Sequence, residues 1–420
     1  MDFNYQQYFF GGYYMNSVGI DVSKNWSMVT ILRLYGEVVS EPFIVNHTPS
    51  ELSELAASLR KLKGETKVIM ECTGSYYKPI ANALSEEGLF VSTVHALVIH
   101  NYGNNSIRTG KTDKASSLKI ANYGLSYWLE LQKYVPEEDI RNMLKMVCRQ
   151  YSKYMKIRTS LKNNFIHLLD QTFPGGLNEL FTSGVRASDG HEKWIDFALK
   201  FWHHECISRL SLKDFSERYQ KWCKKNNYNY SYNKAKEIHS FARNCYSVIK
   251  KDESTRILIE SAAKQLISTS ESVNTYAREM TRLAKLLPEY PVVESLYGVG
   301  DILGPQLIAE IGDVRRFEKK GSLVCYAGLD VPPNQSGKFN AISGRVSKKG
   351  SPFLRATLFK VINSYIVNSP ADEPVYQFIN RKRSEGKHYY NYMVSASGKF
   401  LRIYYARVSE FLRNLDNLAI

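Results

Sequence analysis

The chain has 420 residues, 44% hydrophobic and 23% charged, enough apolar material for two or three domains of ordinary size. Fifty-six Lys and Arg against 41 Asp and Glu leave a formal charge of +15, which favours polyanionic partners, nucleic acid before membrane surface. No run approaches the roughly 18–20 apolar residues of a membrane span. The aromatic first residues do not read as a secretory signal, and six scattered cysteines without a CxxC pair argue against a disulfide framework or a zinc ribbon; reduced, cytosolic thiols are the simpler reading.

In chain order, residues 18–125 have an α/β pattern. Val18-Gly19-Ile20-Asp21-Val22 reads as a strand, 26–34 as a second and 37–45 as a third, joined by short polar links that predict antiparallel hairpins. Residues 49–62 are helical by period, with Leu52, Leu55, Ala56 and Leu59 on one stripe. A strand over 67–71, a helix over 79–87 and a strand over 89–94 follow. This succession is the one expected of a ribonuclease H-like domain, although many α/β folds share most of it.

Residues 136–288 are helical by pattern. Ile140, Leu144, Val147, Tyr151, Tyr154, Arg158, Leu161, Phe165 and Leu168 recur at steps of three and four, a coiled-coil seam with one basic interruption. Residues 141–162 hold seven Lys or Arg and no acid, among them Arg149, Lys153, Lys156 and Lys162. That face suits nucleic-acid phosphates, or else meets only water. Residues 255–287 form a second long helix able to pair with the first, and 181–250 between them are an insertion rich in Trp, Tyr and Lys with no assignable chemistry. From residue 290, Gly298-Val299-Gly300 reads as a turn feeding a helix, a helix-hairpin-helix-like element or simply a tight turn. Residues 338–360 carry six basic residues and no acid.

Asp21 lies within an apolar strand and Glu71 closes another, so adjacent strands would bring both carboxylates to one sheet edge, as hard divalent cations require. Asp113, in Arg108-Thr109-Gly110-Lys111-Thr112-Asp113-Lys114, is a third acid; Thr112 or Asp113 also reads as a helix cap. Ser336 stands between two prolines and Gly337-Lys338, a loop hydroxyl near positive charge. His203-His204-x-Cys206 lacks a second ligand pair for zinc.

Together, Val18-Gly19-Ile20-Asp21-Val22-Ser23-Lys24, Glu71-Cys72-Thr73-Gly74 and Lys111-Thr112-Asp113-Lys114 resemble the N-terminal signatures of the DEDD transposases of the insertion-sequence-one-ten family, relatives of the pilin-gene invertases. Gly298-Val299-Gly300, Ala309-Glu310-Ile311-Gly312-Asp313, Tyr326-Ala327-Gly328-Leu329, Gln335-Ser336-Gly337 and Gly344-Arg345-Val346-Ser347-Lys348-Lys349-Gly350 resemble the C-terminal half. The resemblance implies a RuvC-like domain over 15–130, a helical coiled-coil linker over 131–289 interrupted at 181–250, and a mostly helical transposase domain over 290–420. Residues 1–14 are an extension.

It implies a cytoplasmic, nucleoid-associated DNA transposase or recombinase guided by a bridge RNA that pairs with target and donor DNA, working as dimers assembled into a tetramer. Asp21, Glu71 and Asp113 match acids that bind Mg2+, and Ser336 matches a serine that becomes covalently joined to DNA. Arg108, Lys111, Lys114, Arg149, Lys153, Lys156, Lys162, Lys338, Arg345, Lys348 and Lys349 are the expected nucleic-acid contacts. One departure stands out: the family's fourth acid falls at Ser116, a hydroxyl that cannot neutralise a cation. A Holliday-junction-type nuclease, a site-specific invertase and a cleavage-deficient RNA- and DNA-binding regulator remain alternatives.

Overall fold

Alternation along the first strand sends Val18 and Ile20 to one face and Ser17 and Gly19 to the other, and both faces are covered. The computed structural model describes residues 14–418 apart from 73, 75, 103–111, 137, 333–334, 337–338 and 341–343. The chain divides into two compact units after residue 137. In the first, β1 (Met15–Val22), β2 (Trp26–Leu32) and β3 (Val38–Asn46) form an antiparallel meander. Then come α1 (Pro49–Arg60), β4 (Glu65–Cys72), α2 (Tyr77–Glu86), β5 (Phe90–His95), α3 (Ala96–Asn101) and α4 (Asp113–Ser126).

The sheet order is β3-β2-β1-β4-β5, with β4 parallel to β1 and β5 parallel to β4. Parallel neighbours need crossover connections, which the helices supply. Thr48 caps α1 by accepting from the Glu51 amide at 3.3 Å, and Pro49 sits where its missing N–H costs nothing. The stripe read from the sequence, Leu52, Leu55, Ala56 and Leu59, is buried with Ile80, Ala81 and Leu84 of α2 against Val18, Ile20, Val29, Val68, Met70 and Val91.

The second unit contains two hydrophobic cores on one pair of long helices, α5 (Asp139–Thr172) and, later in the chain, Glu253–Ala284. Between them lie α6 (Lys193–Lys200), α7 (Glu205–Ser208), α8 (Leu212–Lys225) and α9 (Tyr232–Asn244); the second long helix is α10. Leu144 and Cys148, early in α5, belong to one core together with Met280, Leu283 and Ala284 at the end of α10. Phe165 and Leu169, late in α5, belong to the other together with Ile259, Ala263 and Leu266 at the start of α10. The helices therefore run antiparallel.

The sequence insertion is a small aromatic-cored helical body at the far end of this pair. It lies about 25–30 Å along α5 from the other core at 1.5 Å per residue. Midway, Tyr154 meets Tyr276 edge-on at 5.2 Å between ring centroids. The basic interruption of the seam is neutralised: Arg158 donates to Glu192 at 2.6 Å and to Ser270 at 3.0 Å.

The larger core is completed by α11 (Tyr290–Glu294), α12 (Leu303–Ile311), α13 (Lys320–Tyr326), the two-stranded hairpin β6 (Gln335–Ser336) and β7 (Phe339–Asn340), α14 (Pro352–Asn368), α15 (Pro374–Ser384) and α16 (Tyr389–Leu418). Among the described residues no helix is long and apolar enough to cross a membrane.

Arg141 of α5 donates to Glu289 with both side chains buried, 4% and 2% exposed, and the second Glu289 oxygen has no hydrogen-bond partner. Removing one member of such a pair strands the other charge and costs about 3–5 kcal/mol, whereas replacing both with apolar groups can be neutral. Arg141→Met should therefore lower the urea midpoint sharply, and adding Glu289→Leu should recover most of the loss. Two single substitutions that add without recovery would show that the pair is not coupled.

Candidate active site

The register between β1 and β4 pairs Val18 with Val68 and Ile20 with Met70. One step further along both strands stand Asp21 and Glu71, side by side at the ends of neighbouring parallel strands and both half-buried. By alternation they share the face of Ser17, Gly19 and Ile69, the face that α4 covers.

The packing of α4 is tight because small residues meet there. A Cβ on Gly19 would lie 2.2 Å from the Ser117 carbonyl oxygen, and one on Gly124 would lie 2.4 Å from Ser17 Oγ. Ser17 donates to the Ala121 carbonyl at 2.7 Å, and Thr30 and Ser117 share a hydrogen bond of 2.7 Å. Moving along β1 from Ser17 to Gly19 moves back along α4 from Ala121 towards Ser117. The next same-face residue, Asp21, therefore approaches the first turn of α4, which carries Asp113 and Ser116. Thr112 is the helix cap, accepting from the Ala115 amide at 3.2 Å, and Asp113 occupies the first helical position, exposed. Ser116, one turn on, shares its side of the helix and is half-buried.

All donors here are oxygen, the set a hard divalent cation takes. They do not form a closed cage. Among the described residues, the one group of three metal-type ligands within 4.8 Å of one another is His203, His204 and Glu205. An ion that keeps several of its waters does not need its carboxylates in mutual contact, so the open arrangement fits in kind.

The histidine group has a structural use. His203 accepts from the Glu205 amide at 3.1 Å and its other nitrogen faces the Ile249 carbonyl, while His204 faces the Ala242 carbonyl and Ser247 Oγ. All four ring nitrogens thus brace α7.

Ser336 is the second residue of β6, where Gln335 pairs with Asn340 and Ser336 with Phe339. Ser336 thus stands on a short strand where the sequence reads as a loop, and Gly337 and Lys338 lie outside the described residues. Arg345, Lys348 and Lys349 lie on a strap folded against the Tyr326-Ala327-Gly328-Leu329 motif. Ser347 donates to Asp330 at 2.6 Å, the Lys348 amide to Gly328 at 3.1 Å, and Arg355 to the Ala327 and Gly350 carbonyls. A Cβ on Gly350 would stand 2.1 Å from the Tyr326 carbonyl, so two motifs far apart in sequence meet as one device. Arg345, Lys348 and Lys349 are left exposed.

Along α5 the expected contacts divide. Arg149 is bound to buried Glu310 at 2.9 Å and Lys162 to Glu192 at 2.7 Å. Lys153 and Lys156 are exposed, as is Lys114 on α4. Glu310 also accepts from Ser351 Oγ at 2.7 Å, so it ties α5, α12 and the start of α14 together, a counter-ion that no local pattern announces. Arg108, Lys111 and Lys338 lie outside the described residues.

Residues 18–174 match a transposase model of the IS110 DEDD type, and residues 290–377 match the transposase model of the IS116/IS110/IS902 family; together they cover more than half of the chain. The α/β unit and the helical C-terminal part thus each match a transposase model of one family. The chain belongs to the IS110 family.

The transposase for insertion sequence element IS1111A of Coxiella burnetii is 29% identical over 22% of this chain and 26% of its own length. The insertion element IS116 44.8 kDa protein of Streptomyces clavuligerus is 29% identical over 25% of this chain. The chain spans about a quarter, 26%, of the length of each of these two relatives. The pilin gene-inverting protein of Moraxella bovis is 22% identical over 82% of this chain and 80% of its own length. Neither family model covers residues 175–289.

Gly19→Ala should force α4 off the sheet, at a cost of about 1–3 kcal/mol or more, since backbone rather than a flexible side chain stands in the way. Chemical denaturation followed by far-UV circular dichroism measures it. An unchanged midpoint would mean that α4 is not held as described.

Proposed function

We propose that this chain is an RNA-guided DNA recombinase that cuts and rejoins DNA through a serine–DNA intermediate, with Mg2+ held at Asp21, Glu71 and Asp113. The observation that carries the reading is the pairing of Asp21 and Glu71 on neighbouring parallel strand ends, on the face reached by the first turn of α4. The β3-β2-β1-β4-β5 order, an antiparallel meander followed by parallel strands, is the one expected of a RuvC-like domain and supports the same reading.

Bound Mg2+ would supply positive charge to the phosphoryl oxygens of the scissile group. Ser336, on the short strand β6, would form the bond to phosphorus as the bond to the departing sugar oxygen breaks; its hydroxyl proton must pass to a base and the leaving oxygen must gain one. The exposed cations Lys114, Lys153, Lys156, Arg345, Lys348 and Lys349 would position a bridge RNA and the target and donor DNA through phosphate contacts. Dimers assembling into a tetramer complete the proposal. Inversion in place of transposition is a second reading, favoured by the long match to the pilin gene-inverting protein.

Purified chain with its co-purifying RNA, Mg2+ and DNA carrying the element ends should give a protein–DNA adduct on a denaturing gel. Ser336→Ala should abolish the adduct, and Asp21→Asn should reduce it by about 100-fold or more, the scale of losing a charge-stabilising group. An adduct that survives Ser336→Ala excludes the serine mechanism and leaves a resolvase-type nuclease. If the unmodified chain binds both nucleic acids without forming an adduct, Ser116→Asp should restore it; failure to do so would leave a binding regulator.

A further inference from the structure

The insertion forms an open cleft of about 1160 Å³ between α6, α8 and α10. Phe201, Trp222 and Ile267 contribute its apolar part, and Lys200, Arg218, Lys221, Lys225 and Lys251 line it with positive charge. All five cations are exposed, and none forms an ion pair among the described residues. Arg218, Lys221 and Lys225 recur at steps of three and four, so α8 presents one cationic edge to the cleft.

The acids that also line it are already engaged. His191 binds Asp196 through one ring nitrogen and Glu271 through the other, each at 3.0 Å, and Tyr228 donates to Asp196 at 2.6 Å. Partial burial pulls the imidazole pKa down, but the two carboxylates outweigh it and hold the value above the ordinary one. Arg186 is likewise bound to Asp189. Lys251 lies over the Trp202 ring at 6.0 Å, and the five remaining cations have no carboxylate partner among the described residues, an arrangement that an external polyanion relieves.

We propose that this cleft is a nucleic-acid site separate from the acids and Ser336, taking the phosphodiester run of a single strand, with a base entering the apolar part. Concavity selects the single strand. A duplex offers a broad convex surface, whereas an unpaired segment can lay its phosphates along a cationic rim and turn bases inward. The volume exceeds the roughly 300–1,000 Å³ that holds a drug-sized ligand, so more than one nucleotide unit fits. The site lies wholly within the stretch that neither family model covers, at the end of the α5–α10 pair away from the larger core. It is an added anchor and does not depend on the catalytic reading.

An unpaired RNA loop and single-stranded DNA share this chemistry, and the test separates them. The full chain would be titrated by fluorescence anisotropy with a labelled oligouridylate of roughly 12 nucleotides, its DNA counterpart and a duplex of the same length, within the span of known single-strand sites. The comparison protein carries Lys200→Gln, Arg218→Gln, Lys221→Gln, Lys225→Gln and Lys251→Gln. Single-strand affinity should fall about tenfold or more, and the slope of log affinity against log salt should shrink by roughly 2–3.5, about 0.7 per lost phosphate contact.

Photocrosslinking of 4-thiouridine RNA and 4-thiothymidine DNA to the unmodified chain should yield adducts within residues 186–271, independently of how the variant folds. Stronger capture of one strand type identifies the source, and equal capture supports the shared chemistry. Loss of duplex binding alone, or an unchanged salt slope with crosslinks only elsewhere, would overturn the proposal. Because the readout is binding, a negative result here leaves the adduct assay intact, and the reverse holds equally.

Discussion

A carbonyl oxygen that leaves no room for a methyl group sets the geometry of the N-terminal unit. At Gly19 the backbone of α4 comes so close to β1 that a Cβ would stand 2.2 Å from Ser117 O. Two hydroxyl contacts, Ser17 to Ala121 and Thr30 to Ser117, then fix the helix lengthwise. Contact this close is possible only where side chains are small, and the apolar layer on this face is the small cluster of Ile69, Val94, Ile99 and Ile120 beside it. What is gained is placement: the start of a helix arrives over the strand ends that carry Asp21 and Glu71.

The large positive charge is handled in two ways. Arg141, Arg149, Arg158 and Lys162 of α5 meet Glu289, Glu310 and Glu192, acids from far along the chain whose own burial requires a partner. These pairs join α5 to both cores. Lys153 and Lys156, on the half-exposed middle of the helix, have no such acid and remain directed at solvent. The basic run thus contains two populations, structural and free, and net charge alone counts them together. The insertion repeats the division, with Arg186 held by Asp189 while Arg218, Lys221 and Lys225 of α8 form no ion pair among the described residues.

The N-terminal unit was legible because its signals are local. Period-two and period-3.6 patterns placed β1 to β5 and α1, and the Leu52, Leu55, Ala56, Leu59 stripe is the buried one. That α10 is a long helix able to pair with α5 was also readable, although the antiparallel sense of the pair was not. Other features depend on distant partners and were not. Glu310 looks like one more residue of a short motif until Arg149 and Ser351 converge on it. The fit of Gly350 against Tyr326 needs two segments brought together, and the cleft of the insertion needs α6, α8 and α10 at once. Ser336 was read as a loop residue because two flanking strand residues are too short a pattern to show a period.

The consequence of Ser116 reaches beyond one missing ligand. A helix start carries about half a positive charge from its unpaired amides, a field that opposes a cation placed before it. Thr112 satisfies the Ala115 amide, and Asp113 brings one negative charge to the first turn. A second carboxylate at position 116 would add another to the same side of the helix and convert a repulsive end into an attractive one. With serine there, any ion at the strand ends must be held chiefly by Asp21 and Glu71 against the residual dipole. Affinity for a second ion should suffer most, because the first already neutralises the carboxylates that the two would share. The exposed cations on α5, on the strap and in the insertion are set by other contacts, so the proposed recognition of nucleic acid and the proposed chemistry on it are separable.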